Sequence, residues 1–163
     1  MAVLFSGCEI LEVALQIEKT GQAFYEELSK CAKSKGVEEV ARFMADEEEK
    51  HHEKFKVMQE ALACENYTPS GTYPGEYEAY VKALADSRVF TKEHEIREEC
   101  RRLGDDSDAI QMAIGLEKDS IIFYNEMARF VRESDKPTIA KIVDEERAHI
   151  AKLWELKTKL AAA

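Results

Sequence analysis

Two short stretches of the chain pair a glutamate with a histidine three residues on: Glu48 with His51, and Glu146 with His149. Two further glutamates, Glu18 and Glu117, interrupt apolar patterns. Carboxylate oxygens with imidazole nitrogens suit iron, manganese or zinc, and the lack of cysteine ligands argues against a structural zinc. Iron is the preferred reading, with manganese or a mixed site as the alternative. One Glu-x-x-His pair in an acidic helical chain ordinarily marks a solvated helix face. Glu49 and His52 have that same spacing but fall beside Lys56 and Gln59, off the apolar stripe, and are set aside.

The other two pairs lie on apolar stripes. In one segment Val37, Ala41, Met44, Glu48, His51, Phe55, Met58 and Leu62 recur alternately four and three apart, the period of one helix face. A later segment repeats the pattern with Ile139, Ile142, Glu146, His149, Leu153, Leu156 and Leu160. Two others carry Leu11, Ala14, Glu18, Gly21, Tyr25, Leu28 and Ile110, Ala113, Glu117, Ser120, Tyr124, Met127, Val131. Each long helix thus points a carboxylate into the core. An unpaired buried carboxylate costs several kcal/mol or takes up a proton. Four at one height require positive charge among them, and two divalent cations supply it, with two neutral imidazoles completing the shell. The heights agree: Glu18 stands about 17 residues before the first turn and Glu48/His51 about 14 after it, a mismatch of one helical turn or less.

The elements that must position these groups are four long helices. Ser6 with Glu9 forms a capping-box pattern opening a helix to about residue 34. Gly36 breaks the chain, and a second helix covers about 37–64. A Pro- and Gly-rich loop follows at 68–75, then shorter helices over about 76–88 and 92–103. Residues 104–108 supply the next cap, for a helix to about 133, and residues 134–137 open the last, with Pro137 in its first turn. This reads as one all-α domain over 1–163: a four-helix bundle of hairpin one (about 6–64), a partly helical crossover (65–104) and hairpin two (about 105–163). The crossover must travel the length of the bundle, so the second and third long helices run parallel. The hairpins are related in sequence. Residues 15–28 and 114–127 align with five identities, Glu18/Glu117 and Tyr25/Tyr124 among them. Residues 46–55 and 144–153 align with five more, including both Glu-x-x-His pairs. Helix propensity explains shared Glu and Lys, but hardly a shared Glu-x-x-His in one register.

Composition sets outer limits. A formal charge of −10 disfavours nucleic acid or an anionic membrane as partner. No apolar run reaches the roughly 20 residues of a spanning helix. The apolar start lacks a preceding basic residue and a small-residue cleavage site, so no secretory signal is read. Cys8, Cys31, Cys64 and Cys100 contain no Cys-x-x-Cys pair and are expected as reduced thiols in a cytoplasm. His94, between Glu93 and Glu95, is read as ordinary surface.

At Glu18, Glu48-x-x-His51, Glu117 and Glu146-x-x-His149 the chain resembles the rubrerythrin branch of the ferritin-like superfamily. The resemblance spans both hairpins and implies a ferritin-like bundle with two iron ions. It further implies reduction of hydrogen peroxide to water in oxidative-stress defence, a separate electron donor such as a rubredoxin, and a homodimer. The competing function is an iron-binding or ferroxidase protein that oxidises Fe²⁺ with oxygen. Tyr25 and Tyr124, seven residues after the core glutamates, are expected to hydrogen-bond ligand carboxylates, the alternative being buried tyrosines with other partners. Glu47 and Glu145, just before the two motifs, are expected either to orient the histidine of the facing helix or to lie on solvated surface. Two departures stand out. The rubredoxin domain's Cys-x-x-Cys pairs are not in this sequence, and the extra glutamate that rubrerythrins carry three residues after the third-helix ligand is Ser120 here, with Gly21 at the equivalent place in the first helix. Those small residues are read as room for a bound oxidant.

Overall fold

A computed structural model describes residues 7–62, 80, 83–84 and 92–162. The described residues form five helices and no strand: α1 (Gly7–Cys31), α2 (Lys35–Ala61), α3 (Glu93–Arg102), α4 (Asp106–Met127) and α5 (Lys136–Ala161). The Ser6 cap, the loop at 68–75 and nearly all of the expected helix at 76–88 lie outside the described residues.

Apolar side chains at helical spacing drive the assembly, and they bury as two clusters rather than one. The first joins Ile10, Leu11 and Ala14 of α1 with Phe55 and Met58 of α2, Phe123 and Met127 of α4, and Ile139 and Ile142 of α5. The second joins Phe24 and Leu28 of α1 with Val37, Ala41 and Met44, then Ile110 and Ala113, then Leu153. The start of α1 thus meets the end of α2, and the end of α4 meets the start of α5, so each hairpin is antiparallel. The ends of α2 and α4 share a cluster, so those two helices run parallel, as the crossover requires. Between the clusters lies one layer of polar side chains.

The crossover's described helix is tied down by charge as well as packing. Ile96 and Cys100 of α3 are buried in the second cluster. On its flank Arg97 pairs with Glu26 at 2.6 Å and Arg101 with Glu27 at 2.6 Å.

Several boundaries differ from the sequence expectation. Gly36 does not break the chain; it lies in the first turn of α2. The break falls at 32–34, where the Asp106 carboxylate accepts from the backbone N–H of Lys33 at 2.9 Å and of Ser34 at 2.7 Å. A tertiary contact, not a local glycine, sets that turn. α4 stops at Met127 rather than about 133. Tight turns follow, Phe130 N–H bonding to the Met127 carbonyl at 2.9 Å, which swings Phe130 and Val131 inward to close the first cluster. Arg132 then donates to both Asp135 oxygens, at 2.8 and 3.0 Å, and to the Ala61 carbonyl at the end of α2. Leu156 and Leu160, expected in the core, are only half-buried against the second cluster, at the end of the bundle. Cys8, expected as a reduced thiol, is disulfide-bonded. Cys31 and Cys100 are free thiols.

Candidate metal centre

The polar layer holds Glu18, Glu48, His51, Glu117, Glu146 and His149, each buried, with Glu18 and His51 wholly so. They arrive there because each occupies a core position of its helix, midway between the two clusters. Glu49 is exposed and His52 only partly covered, one position off that stripe.

Ligand-type atoms converge in two overlapping groups. One atom each from Glu18, Glu48, His51 and Glu146 lie within 4.8 Å of one another, as do atoms of Glu117, Glu146 and His149. Glu146 belongs to both. Its Oε1 lies 2.9 Å from His51 Nδ1 and its Oε2 lies 2.8 Å from His149 Nδ1. The imidazole rings stand 5.8 Å apart, inclined by 27°.

The electrostatics are those of carboxylates forced together in a dry interior. Burial pushes the Glu18 and Glu48 carboxyls well above the ordinary carboxylate value, and the charges of Glu117 and Glu146 add to it. Burial, with the Glu146 charge, raises Glu117 to about 8. For Glu146 burial acts in the same direction, but contact with both histidines outweighs it and holds this carboxyl far below the ordinary range. Burial opposes charge on the histidines, yet their carboxylate neighbours win and raise His51 to about 9 and His149 to about 10.

Three buried polar atoms of the layer lack a hydrogen-bond partner: Glu18 Oε2, His51 Nδ1 and Glu146 Oε1. His51 Nδ1 and Glu146 Oε1 are close but misaligned, so theirs is a contact between charges and not a hydrogen bond. Leaving such groups buried and unsatisfied is costly. A cation among them would satisfy all three at once, and the all-oxygen and imidazole donor set suits it. The residues fit a metal centre of the two-cation kind.

The surrounding groups fix the layer. Tyr25 donates its hydroxyl to Glu117, and Tyr124 donates to Glu18, each reaching from the other hairpin. Burial pushes both phenols well above their ordinary value, so they remain donors. Glu145 Oε2 lies 3.0 Å from His51 Nε2 and is itself held by Lys54 at 2.8 Å. A donor bond from Nε2 leaves Nδ1 free to face the carboxylates. Glu47 does not match it: this carboxylate turns to Lys50 at 2.6 Å. Beside His149 stands Phe43, edge-on at 6.2 Å, with Lys152 4.3 Å above its ring. Neither Lys54 nor Phe43 carries a signal in the sequence, because each acts through a contact across helices.

The small residues do not leave an open chamber. A Cβ at Gly21 would come within 2.9 Å of both Cδ and Oε1 of Glu48, so Glu48 itself uses that space. Ser120 is buried, and its hydroxyl donates to the Leu116 carbonyl at 3.1 Å, one turn back along α4. No carboxylate replaces the extra rubrerythrin glutamate at either place.

Comparison with known proteins agrees with this architecture. No curated protein matches the chain. A solved structure of a ferritin-like diiron-carboxylate protein from Thermotoga maritima is similar at 29% identity and a TM-score of 0.71, covering 95% of this chain and 96% of that one. The fold is therefore all-α and ferritin-like, and the buried Glu/His cluster is of the kind that suits a metal site. The family model for rubrerythrin matches residues 9–157, so with its two hairpins and paired Glu-x-x-His motifs this chain belongs to the rubrerythrin family.

Proposed function

We propose that the protein is a non-haem di-iron enzyme that reduces hydrogen peroxide to water, with Glu18, Glu48, His51, Glu117, Glu146 and His149 as the iron ligands. The observation that carries this reading is Glu146, a buried carboxylate shared by two ligand groups, each of which also contains a core glutamate and a histidine. Two iron ions held there would supply one electron each, the number needed to cleave a peroxide O–O bond without releasing a radical.

The chain's own residues do the rest. Apolar clusters above and below exclude water from the layer and strengthen every charge interaction within it. The Tyr25 and Tyr124 hydroxyls hold one oxygen of Glu117 and Glu18, so each carboxylate presents its other oxygen inward. Glu145 and Lys54 orient His51. A cleft of about 340 Å³ between α4 and α5 includes Tyr124 in its lining. Electrons would come from a separate donor protein. Phe43, 41% exposed and packed on His149, provides a short route inward from the surface. No described helix is long and apolar enough to cross a membrane.

The test is to prepare the diferrous protein without air and compare its oxidation by peroxide and by oxygen. Faster oxidation by peroxide is expected. Much faster oxidation by oxygen would favour a ferroxidase, a reading helped by the lack of an extra carboxylate at Ser120 and Gly21.

A further inference from the structure

Two free thiols meet far from the polar layer. Cys31 ends α1 and is exposed, while Cys100 lies on α3 and is 2% exposed. Their sulfurs are 3.8 Å apart across 69 residues of sequence. A disulfide needs about 2.05 Å, so the sulfurs must approach by less than about 2 Å. The two flanking ion pairs of Arg97 and Arg101 with Glu26 and Glu27 already hold α3 against α1, which fixes the thiols side by side. Both cysteines line a cleft of about 230 Å³, open to solvent, whose wall includes Lys33 and Arg101.

We propose that Cys31 and Cys100 form a second redox site, a dithiol that a hydroperoxide oxidises to an intramolecular disulfide joining α1 to α3. The exposed Cys31 attacks first. Its thiolate sulfur bonds to one peroxide oxygen, the O–O bond breaks, and the departing oxygen takes a proton, leaving Cys31 as a sulfenic acid. Cys100 then attacks the Cys31 sulfur. The S–S bond forms, the S–O bond breaks, and the hydroxide leaves as water with the Cys100 proton. Two thiols lose two electrons, and the hydroperoxide becomes water and an alcohol or a second water. Burial, with the Cys31 charge beside it, pushes the Cys100 thiol up to about 12, which leaves the first attack to Cys31; Cys100 attacks as its proton passes to the departing hydroxide. This site is independent of the metal centre, and a small thiol or dithiol reductant would reset it.

The protein is loaded with zinc, which exchanges no electrons, and treated with hydrogen peroxide; free thiols are then alkylated and the peptides mapped. The expected product is one cross-linked peptide containing Cys31 and Cys100, lighter by two hydrogens and restored by dithiothreitol. Mapping separates it from the disulfide at Cys8. In Cys100→Ser the reaction should stop at a Cys31 sulfenic acid that dimedone traps; in Cys31→Ser, Cys100 should stay reduced. Sulfinic acid at Cys31 with Cys100 still alkylated, or a Cys31 bridge between two chains, would overturn the proposal. None of these readouts depends on iron or on peroxidase activity.

Discussion

A glutamate in a helix interior is usually a surface residue, and what distinguishes the six residues of the layer is the face they occupy. Glu49 and His52 repeat the Glu-x-x-His spacing one position away and end at the surface. Glu48→Ala and His149→Ala are therefore expected to abolish two-metal occupancy, while His52→Ala retains it, as metal analysis of the purified variants would report. Gly21 tests the layer from another side. An added Cβ there meets the Glu48 carboxylate at 2.9 Å, the movable end of a side chain and not backbone. Gly21→Ala should thus keep the fold, and the better helix propensity of alanine offsets the displacement by up to about 1 kcal/mol. The displaced carboxylate should nevertheless lower metal affinity by roughly ten- to a hundredfold, a loss typical when a group supporting a ligand is altered. Competitive metal titration measures it. Unchanged affinity would mean that Glu48 does not need that space.

Among the elements, the turns are held by side chains from distant segments. Asp106 opens α4 yet satisfies two backbone N–H groups of the α1–α2 turn. Asp106→Ala leaves two part-buried donors to water, and a loss of about 1 kcal/mol in urea unfolding is expected. The α1–α3 contact adds a pH signature. The Arg101 hydrogen bond holds the Glu27 carboxyl below its ordinary 4.5, even though burial acts the other way. A lowered folded-state pKa means that this stabilisation is complete above the unfolded value and is lost as pH falls through the folded one. Wild type should exceed Glu27→Gln in stability near neutral pH, with the gap closing as pH falls below about 4.5. A constant gap across acid titration of the urea midpoint would contradict the assignment.

For the molecule as a whole, four helices divide their apolar surface into two clusters so that a charged layer can sit between them. Such a layer is a stability cost without cations and an anchor with them. Ligands that bind only the folded state stabilise it by mass action, about 2.7 kcal/mol at a hundredfold excess over Kd. For a chain of this size each kcal/mol moves Tm by about 2–4 °C. Stripping metal with a chelator should therefore lower Tm by on the order of 5–10 °C, with recovery on adding Fe²⁺ without air. Calorimetry showing the same Tm in both states would mean that the layer holds no metal.

Much of this molecule is legible before folding, because periodicity is a local property. Alternating steps of three and four place Glu18, Glu48, His51, Glu117, Glu146 and His149 on core faces, and the internal repeat sets the two hairpins in one register. Contacts between helices are not periodic, and only the tertiary structure decided them. It exchanged the tyrosines across the hairpins, gave His51 its Glu145 and Lys54 support, and left Glu47 to Lys50. It also used Gly21 to seat Glu48 and set Cys31 against Cys100 across 69 residues. The spacing along a helix determines which residues face inward; which atoms then meet depends on how the helices lie against one another.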